Sequence, residues 1–261
     1  SPAESFPVEG SPEEGSPEEG SPAAKRAFPA RSREKKRILS DSGGVVYTPD
    51  HWADWAVAEY GIHEKWIAGA RILDPGCGEG SLSLAVIRGA LAAGYRPDAA
   101  ALARIRGIDT DSRALNVFRT RLLDNHGLAL PPESLVEGDF LLGETDFRAD
   151  IIFANPPWLT FGDLEDRLKE TYKPLFRTSG LAPNPRSLLL GGSRIDLSAL
   201  FVIRALDRHL AAGGEGFFFV PMSLFRSEGA HEAFRKLPMA AGGHSCLREI
   251  NELGGGAPFP G

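Results

Sequence analysis

Arg71-Ile72-Leu73-Asp74-Pro75-Gly76-Cys77-Gly78-Glu79-Gly80 is the stretch on which the reading of this chain turns. Residues 71–74 read as a short buried strand, 75–80 as a glycine-rich turn, and Ser81 to about Leu91 as a helix. Glycines there permit a tight turn and close approach of backbone to a ligand, and the helix start presents free N–H groups. The spacing is GxGxG, not the dinucleotide pattern GxGxxG, so the turn alone is a weak signature. Asp74 ends the strand, where it either caps the turn or meets a cationic ligand.

The same alternation continues downstream. Arg104–Asp109 reads as a second strand, and Asp109-Thr110-Asp111 leads into a helix from Ser112 to about Asn125, with Asp111 as its N-cap. An acid ending the second strand of such a sheet commonly hydrogen-bonds ribose hydroxyls, which makes Asp109 a candidate. A third strand, Ser134–Glu137, runs into Gly138-Asp139-Phe140, and a fourth, Asp150–Ala154, stops at Asn155-Pro156-Pro157-Trp158. Two prolines cannot continue a ladder and hold the preceding residue extended, so polar groups are displayed at a strand's carboxyl end. Trp158 adds a flat aromatic, with a turn and a core tryptophan as the plainer alternative.

Residues 158–196 show no clear periodicity, contain Pro174, Pro183 and Pro185, and leave from the candidate site, so a lid or substrate-contacting loop is expected there. Asp196 opens a helix with an apolar stripe from Leu197 to Leu210, ended by Gly213-Gly214; Gly216–Val220 reads as a fifth strand. Residues 228–236 suit a helix, and 247–253 a strand or a helix. Upstream, Tyr47-Thr48-Pro49 precedes a helical stretch, His51–Tyr60, with Asp50 as N-cap and with Trp52 and Trp55 on a core-facing side. Alternating strands and helices of this length predict an α/β fold, a doubly wound, mainly parallel sheet of five or six strands with helices on both faces.

With 261 residues, 42% of them hydrophobic, the chain can bury one core, and two regions are expected: a tail, 1–40, and a domain, 41–261. The tail repeats Ser-Pro-Glu-Glu-Gly at 11–15 and 16–20, a composition that cannot offset its own ordering entropy and reads as disordered. Residues 1–24 sum to −6 and the basic run 25–37 to +6, which leaves −6 on 38–261. The basic run reads as a solvated linker, with a nucleic-acid arm as the alternative. No apolar run approaches the ~20 residues of a membrane span, and no signal peptide is visible at the first residue, so a cytoplasmic location is expected. Cys77 and Cys246 lack companion spacing for a disulfide or zinc site, and the six histidines form no ligand pair; no metal is expected. Cys77 reads as a small buried residue, not a nucleophile.

The ordered set Tyr47-Thr48-Pro49, Asp74 to Gly80, Gly107-Ile108-Asp109, Gly138-Asp139-Phe140, Asn155 to Trp158, Asp196-Leu-Ser-Ala-Leu-Phe201 and Val220-Pro-Met-Ser223 resembles the class I S-adenosylmethionine-dependent N6-adenine DNA methyltransferases. Within them it is similar to the large methylases of restriction-modification and phage-defence systems. The resemblance implies a Rossmann-like methyltransferase sheet and S-adenosylmethionine as cofactor. It would place Tyr47, Thr48 and Pro49 by the methionine moiety, with Asp74, Gly76 and Gly78 forming that side of the pocket. Asp109 would take the ribose hydroxyls, and Asp139 with Phe140 the cofactor's adenine. It also implies further strands and a target-recognition region beyond Gly261, supplied by a longer chain or a specificity subunit. Weak, nonspecific binding of DNA is therefore expected of these residues alone, since the acidic core shows no basic, groove-reading surface.

The chemistry of Asn155-Pro156-Pro157-Trp158 can be argued directly. An exocyclic amine is a poor nucleophile because its lone pair is delocalised into the ring. Hydrogen bonds from its two protons to the Asn155 side-chain oxygen and the Pro156 carbonyl would favour a pyramidal nitrogen facing a methyl sulfonium, with Trp158 stacked on a flipped adenine. Methyltransferases acting on protein glutamine or on RNA share the Asn-Pro-Pro-aromatic pattern and form one alternative. A cofactor-binding assembly module without catalysis forms another.

Overall fold

A computed structural model describes residues 47–143, 145–182, 194–227, 231–239 and 242–253. The tail expectations for 1–40, residues 183–193 of the proposed lid and the last eight residues lie outside the described residues. Among the described residues, five strands, β1 Ile72–Pro75, β2 Ile105–Asp109, β3 Leu135–Glu137, β4 Ala149–Ala154 and β5 Leu210–Phe218, form one sheet. Its order is β3-β2-β1-β4-β5, and every pairing is parallel, as the alternation of strand and helix required.

Because side chains alternate across a strand, β1 and β4 feed two cores. Ile72, Ile151 and Phe153 point to one face, covered by α1 Asp50–Glu59, α2 Ile62–Ile67, α3 Ser81–Ala92 and α5 Ser112–His126. Leu73, Ile152 and Ala154 point to the other, covered by α6 Asp166–Thr178, α7 Leu197–Arg204 and the single turns α8 Ser223–Arg226 and α9 Glu232–Arg235. A short helix, α4 Ala99–Leu102, precedes β2 and is capped by Asp98, whose carboxylate accepts the Ala101 N–H at 2.7 Å. Trp52 is buried and Trp55 half-buried against the first core, as expected of that face. Cys77 is buried too, and Gly107 makes room for it: a Cβ at 107 would stand 2.8 Å from the Cys77 sulfur.

Four expectations change. Asp50 is the first residue of α1, while Pro49 holds the cap position, so the Asp50 carboxylate turns to Arg121 and Arg88 instead. The stretch after Trp158 is not structureless: α6 runs through Pro174, with Tyr172 and Phe176 buried and Leu168 and Leu175 packed beside them. Those four positions lie at helical spacing, and their burial offsets the ladder hydrogen bond that Pro174 removes and the clash of its ring with the carbonyl four residues before it. The helix after Asp196 ends at Arg204 in a π-type turn, Ala205–His209, and β5 starts at Leu210, earlier than expected. Gly213-Gly214 lies inside this strand, in a bulge between the Ala149–Leu210 and Ile151–Glu215 pairs. There a Cβ on Gly214 would stand 2.8 Å from the Asp150 carbonyl. Residues 247–253 form neither strand nor helix; Arg248 pairs with Glu215, Asn251 with Tyr60 and Glu252 with Arg226, so side chains fix a segment that has no ladder.

Among the described glycines, Gly80 has the tightest environment. It adopts φ +81°, and a Cβ there would lie 2.4 Å from the ring of fully buried Phe118. Gly80→Ala combines ~1–2 kcal/mol of left-handed strain with ~1–3 kcal/mol of overpacking. Gly94, at φ +82° with nothing within 4 Å, isolates the backbone part. Urea titrations are expected to show Gly94→Ala losing about 1 kcal/mol. Gly80→Ala should lose at least twice that; equal losses would mean that Phe118 yields freely.

Candidate functional site

Since all strands are parallel, Asp74, Asp109, Asp139 and Asn155 follow or end β1, β2, β3 and β4 at one edge of the sheet. The order reverses between β1 and β4, and a crevice opens at such a switch point. The glycine loop that follows β1 is pinned to the end of β2. Gly76 and Cys77 donate their N–H groups to the Ile108 carbonyl at 2.7 and 3.1 Å, and Gly78 donates to the Asp109 carboxylate at 2.7 Å. Asp109 also accepts the Asp111 N–H at 2.9 Å, while Asp111 caps α5 through the Arg113 N–H at 2.8 Å. Each Asp109 oxygen keeps a further lone pair for hydroxyl donors.

Asp74 is 1% exposed. One of its oxygens accepts the Ser83 hydroxyl at 2.8 Å, and the other has no partner among the described residues. Burial, with Asp109 nearby and only partly offset by Ser83, raises its pKa from 3.8 to about 7. An ionised buried carboxylate with an unmet acceptor is stabilised by a cation, and none of the described residues supplies one. The neighbouring carboxylates reinforce this: desolvation first, then Glu79, Asp109 and Asp111, push the Tyr47 phenol upward. Burial also pushes the Cys77 thiol well up, which leaves it inert as the sequence suggested.

Tyr47-Thr48-Pro49 is brought to the same place from far away in sequence. The Tyr47 ring lies 3.1 Å from where a Gly78 Cβ would be, so glycine is what lets the ring close over the loop. Buried Thr48 accepts a hydrogen bond from the Asn155 amide nitrogen at 3.0 Å. Asn155 follows the last residue of β4, with its own carbonyl 4.0 Å from a Cβ placed on Gly76. Pro156 is buried, and Pro157 and Trp158 are half-buried. The Trp158 indole N–H donates to the Phe219 carbonyl at 3.3 Å, and the Phe219 N–H donates to the Ala154 carbonyl at 2.9 Å, tying the ring to the ends of β4 and β5.

Asp139 accepts the Leu141 N–H at 2.8 Å and the Tyr172 hydroxyl at 2.6 Å. Tyr172 belongs to α6, so the unanticipated helix reaches the site; burial and this carboxylate raise the phenol's pKa. Phe140 points inward, its ring 5.3 Å from Phe201 and 5.0 Å from His209. Phe201 in turn lies 3.8 Å from a Cβ on Gly76, so this ring joins the Asp139 side to the glycine loop. Asp196 binds the Ser223 hydroxyl at 2.7 Å and His231 at 3.1 Å, and it bridges to Thr160 just after Trp158. Ser83 was readable as a polar residue in the first turn after the glycine loop. Tyr172 and His231 reach their partners only through tertiary packing and left no local signal. Among the described residues no cluster of three or more His, Cys, Asp or Glu is placed to hold a metal.

No protein-family model matches the sequence. The chain is 28% identical over 200 residues to the Type II methyltransferase M.VspI of Vibrio sp. (strain 343), covering 76% of this chain and 41% of that protein. It is 26% identical over 196 residues to the Type II methyltransferase M.CvrRI of Paramecium bursaria Chlorella virus XZ-6E, covering 75% and 40%. It thus spans about two fifths of the length of these relatives. The solved type IIG restriction endonuclease BpuSI superposes with a TM-score of 0.52 at 20% identity, over 76% of this chain and 22% of that one. The chain has the Rossmann-like fold of class I S-adenosylmethionine-dependent methyltransferases, and its sequence relatives are methyltransferases, as the motif order implied.

Proposed function

We propose that this chain is the catalytic domain of a DNA methyltransferase that moves a methyl group from S-adenosylmethionine to the exocyclic N6 amine of a flipped-out adenine, in a restriction-modification or phage-defence system. The observation that carries the reading is the convergence of Asp74, Asp109 and Asn155 at one sheet edge, with Thr48 holding the Asn155 amide. The cofactor suits the residues present: buried Asp74 has an acceptor left for the methionine ammonium, Asp109 has capacity for ribose hydroxyls, and Gly76 and Gly78 leave room for backbone approach. When bound, it supplies a methyl group on a cationic sulfur, an electrophile that needs no further activation.

The chain's own residues then position the other reactant. The Thr48 hydroxyl oxygen accepts a hydrogen bond from the Asn155 amide N–H, which directs the Asn155 side-chain oxygen to act as the acceptor for a substrate amine. That oxygen and the Pro156 carbonyl would hold the two amine protons and localise the nitrogen lone pair. Trp158 offers a face for the base, and its stacking offsets part of the few kcal/mol spent on flipping. The rate gain comes from orientation and electrostatics and needs no strong general base. Selection of the adenine falls to a target-recognition domain or specificity subunit outside these residues.

The test is transfer of labelled methyl from the cofactor to DNA, RNA and protein presented side by side. Label on N6 of adenine in DNA is the expected result. The charge of −6 on residues 38–261 favours a protein substrate as second reading, and label on a glutamine side chain would establish it in place of the first.

A further inference from the structure

We propose that Arg121 is a positioning residue that clamps the glycine loop to the Tyr47-Thr48-Pro49 element and thereby sets the width of the cofactor pocket. The inference rests on the cofactor pocket proposed above. Arg121 lies on α5, 40 or more positions in sequence from the groups its guanidinium reaches. One guanidinium nitrogen donates to the Glu79 carbonyl at 3.1 Å and stands 3.5 Å from the Ser81 hydroxyl, at the end of the glycine loop. The other spans both oxygens of Asp50, at 3.3 and 3.4 Å. Asp50 directly follows Pro49, and Thr48 before it holds Asn155.

The inner side of the glycine loop is already fixed by the Ile108 carbonyl and the Asp109 carboxylate. On its outer side Arg121 is the side chain that bonds the loop backbone and the crossing segment together; Arg88 also reaches Asp50, at 3.6 Å, but from further along α3. Arg suits the task because its planar fork offers donors in two directions at once, which a lysine ammonium on a flexible stem does not. An ion pair this exposed contributes little to stability, so its consequence is geometric. A Cβ on Gly78 would stand 3.1 Å from the Tyr47 ring, so the ring already packs closely on the loop, and a slip of the crossing segment changes the space at that point.

The experiment is calorimetric titration of S-adenosylhomocysteine into the 261-residue chain and its Arg121→Met, Arg121→Lys, Asp50→Asn and Arg121→Met/Asp50→Asn variants, each checked for an unchanged thermal midpoint. Arg121→Met is expected to raise Kd about tenfold, with Arg121→Lys intermediate. The double variant should be no weaker than Arg121→Met alone, because the two residues act as one clamp. Should Arg121→Met fail to fold, Asp50→Asn reads the same clamp from its other side and should also raise Kd. A Kd within twofold of wild type in the folded single variants, or strictly additive losses, would overturn the clamp. Absence of any binding by the wild-type chain would instead overturn the cofactor pocket itself.

Discussion

Asn155→Ala is expected to lower methyl transfer by about 10³-fold, the scale of removing a positioned hydrogen-bonding group from a reacting centre, while cofactor affinity changes little. The side chain follows the last residue of β4 and is held by Thr48, so its loss removes an acceptor for the substrate amine without disturbing Asp74 or Asp109. Thr48 loses one donor, but its hydroxyl can rotate, and the cost to stability is about 1 kcal/mol. Asn155→Asp keeps an acceptor oxygen toward the substrate amine, with the Thr48 hydroxyl able to turn and donate to the other, and should retain more activity than alanine. Single-turnover transfer and calorimetric binding measured on the same preparations check both parts. Loss of binding together with transfer would show that Asn155 builds the pocket and not the reaction, and unchanged transfer would remove it from the chemistry.

The second large effect concerns Asp74. Its carboxyl is raised from 3.8 to about 7 by burial, a difference of about 4 kcal/mol between its two protonation states. The native chain therefore binds a proton that the unfolded chain releases between pH ~4 and ~7, and stability falls as pH rises through that window. Above about 7 the group is ionised in both states and contributes no further slope. Asp74→Asn lacks the ionisation. The stability of wild type relative to this variant should decline by up to about 4 kcal/mol from pH 4 to 8 and then level off. Guanidinium titrations of both proteins across that range measure it. Saturating cofactor should flatten the decline, since an ammonium beside Asp74 stabilises its ionised form. A difference that does not vary with pH would mean that Asp74 is not desolvated in solution.

Much of this was legible in the sequence for a specific reason. Strands β1, β2 and β4 are short, largely apolar runs, and the polar residues Asp74, Asp109 and Asn155 stand at or just past their carboxyl ends. Reading the strands therefore located Asp74, Asp109 and Asn155 together. Asp111 was readable as a cap because capping is local, and its bond to the Arg113 N–H spans two positions. Asp50 misled for the complementary reason: its residue type suits a cap, but Arg121, 71 positions away, takes it. Helix α6 was obscured by Pro174, whose local preference was outweighed by buried Tyr172 and Phe176. In β5, Gly213-Gly214 has the composition of a helix stop and serves as a bulge, a choice made by the neighbouring strand β4.

The strand order has a temporal consequence as well. Ile72 and Ile151 are paired neighbours at the centre of the sheet, although 79 positions separate them. During synthesis at ~5–20 residues per second, β1 emerges about 4–16 s before the strand that must flank it on that side. For that interval β1 can pair only with β2, and the edge later taken by β4 stays bare. The cleft is thus among the last parts of the molecule to come into being, and every nascent copy passes through a stage with an open strand edge that chaperones or other unfinished chains can meet.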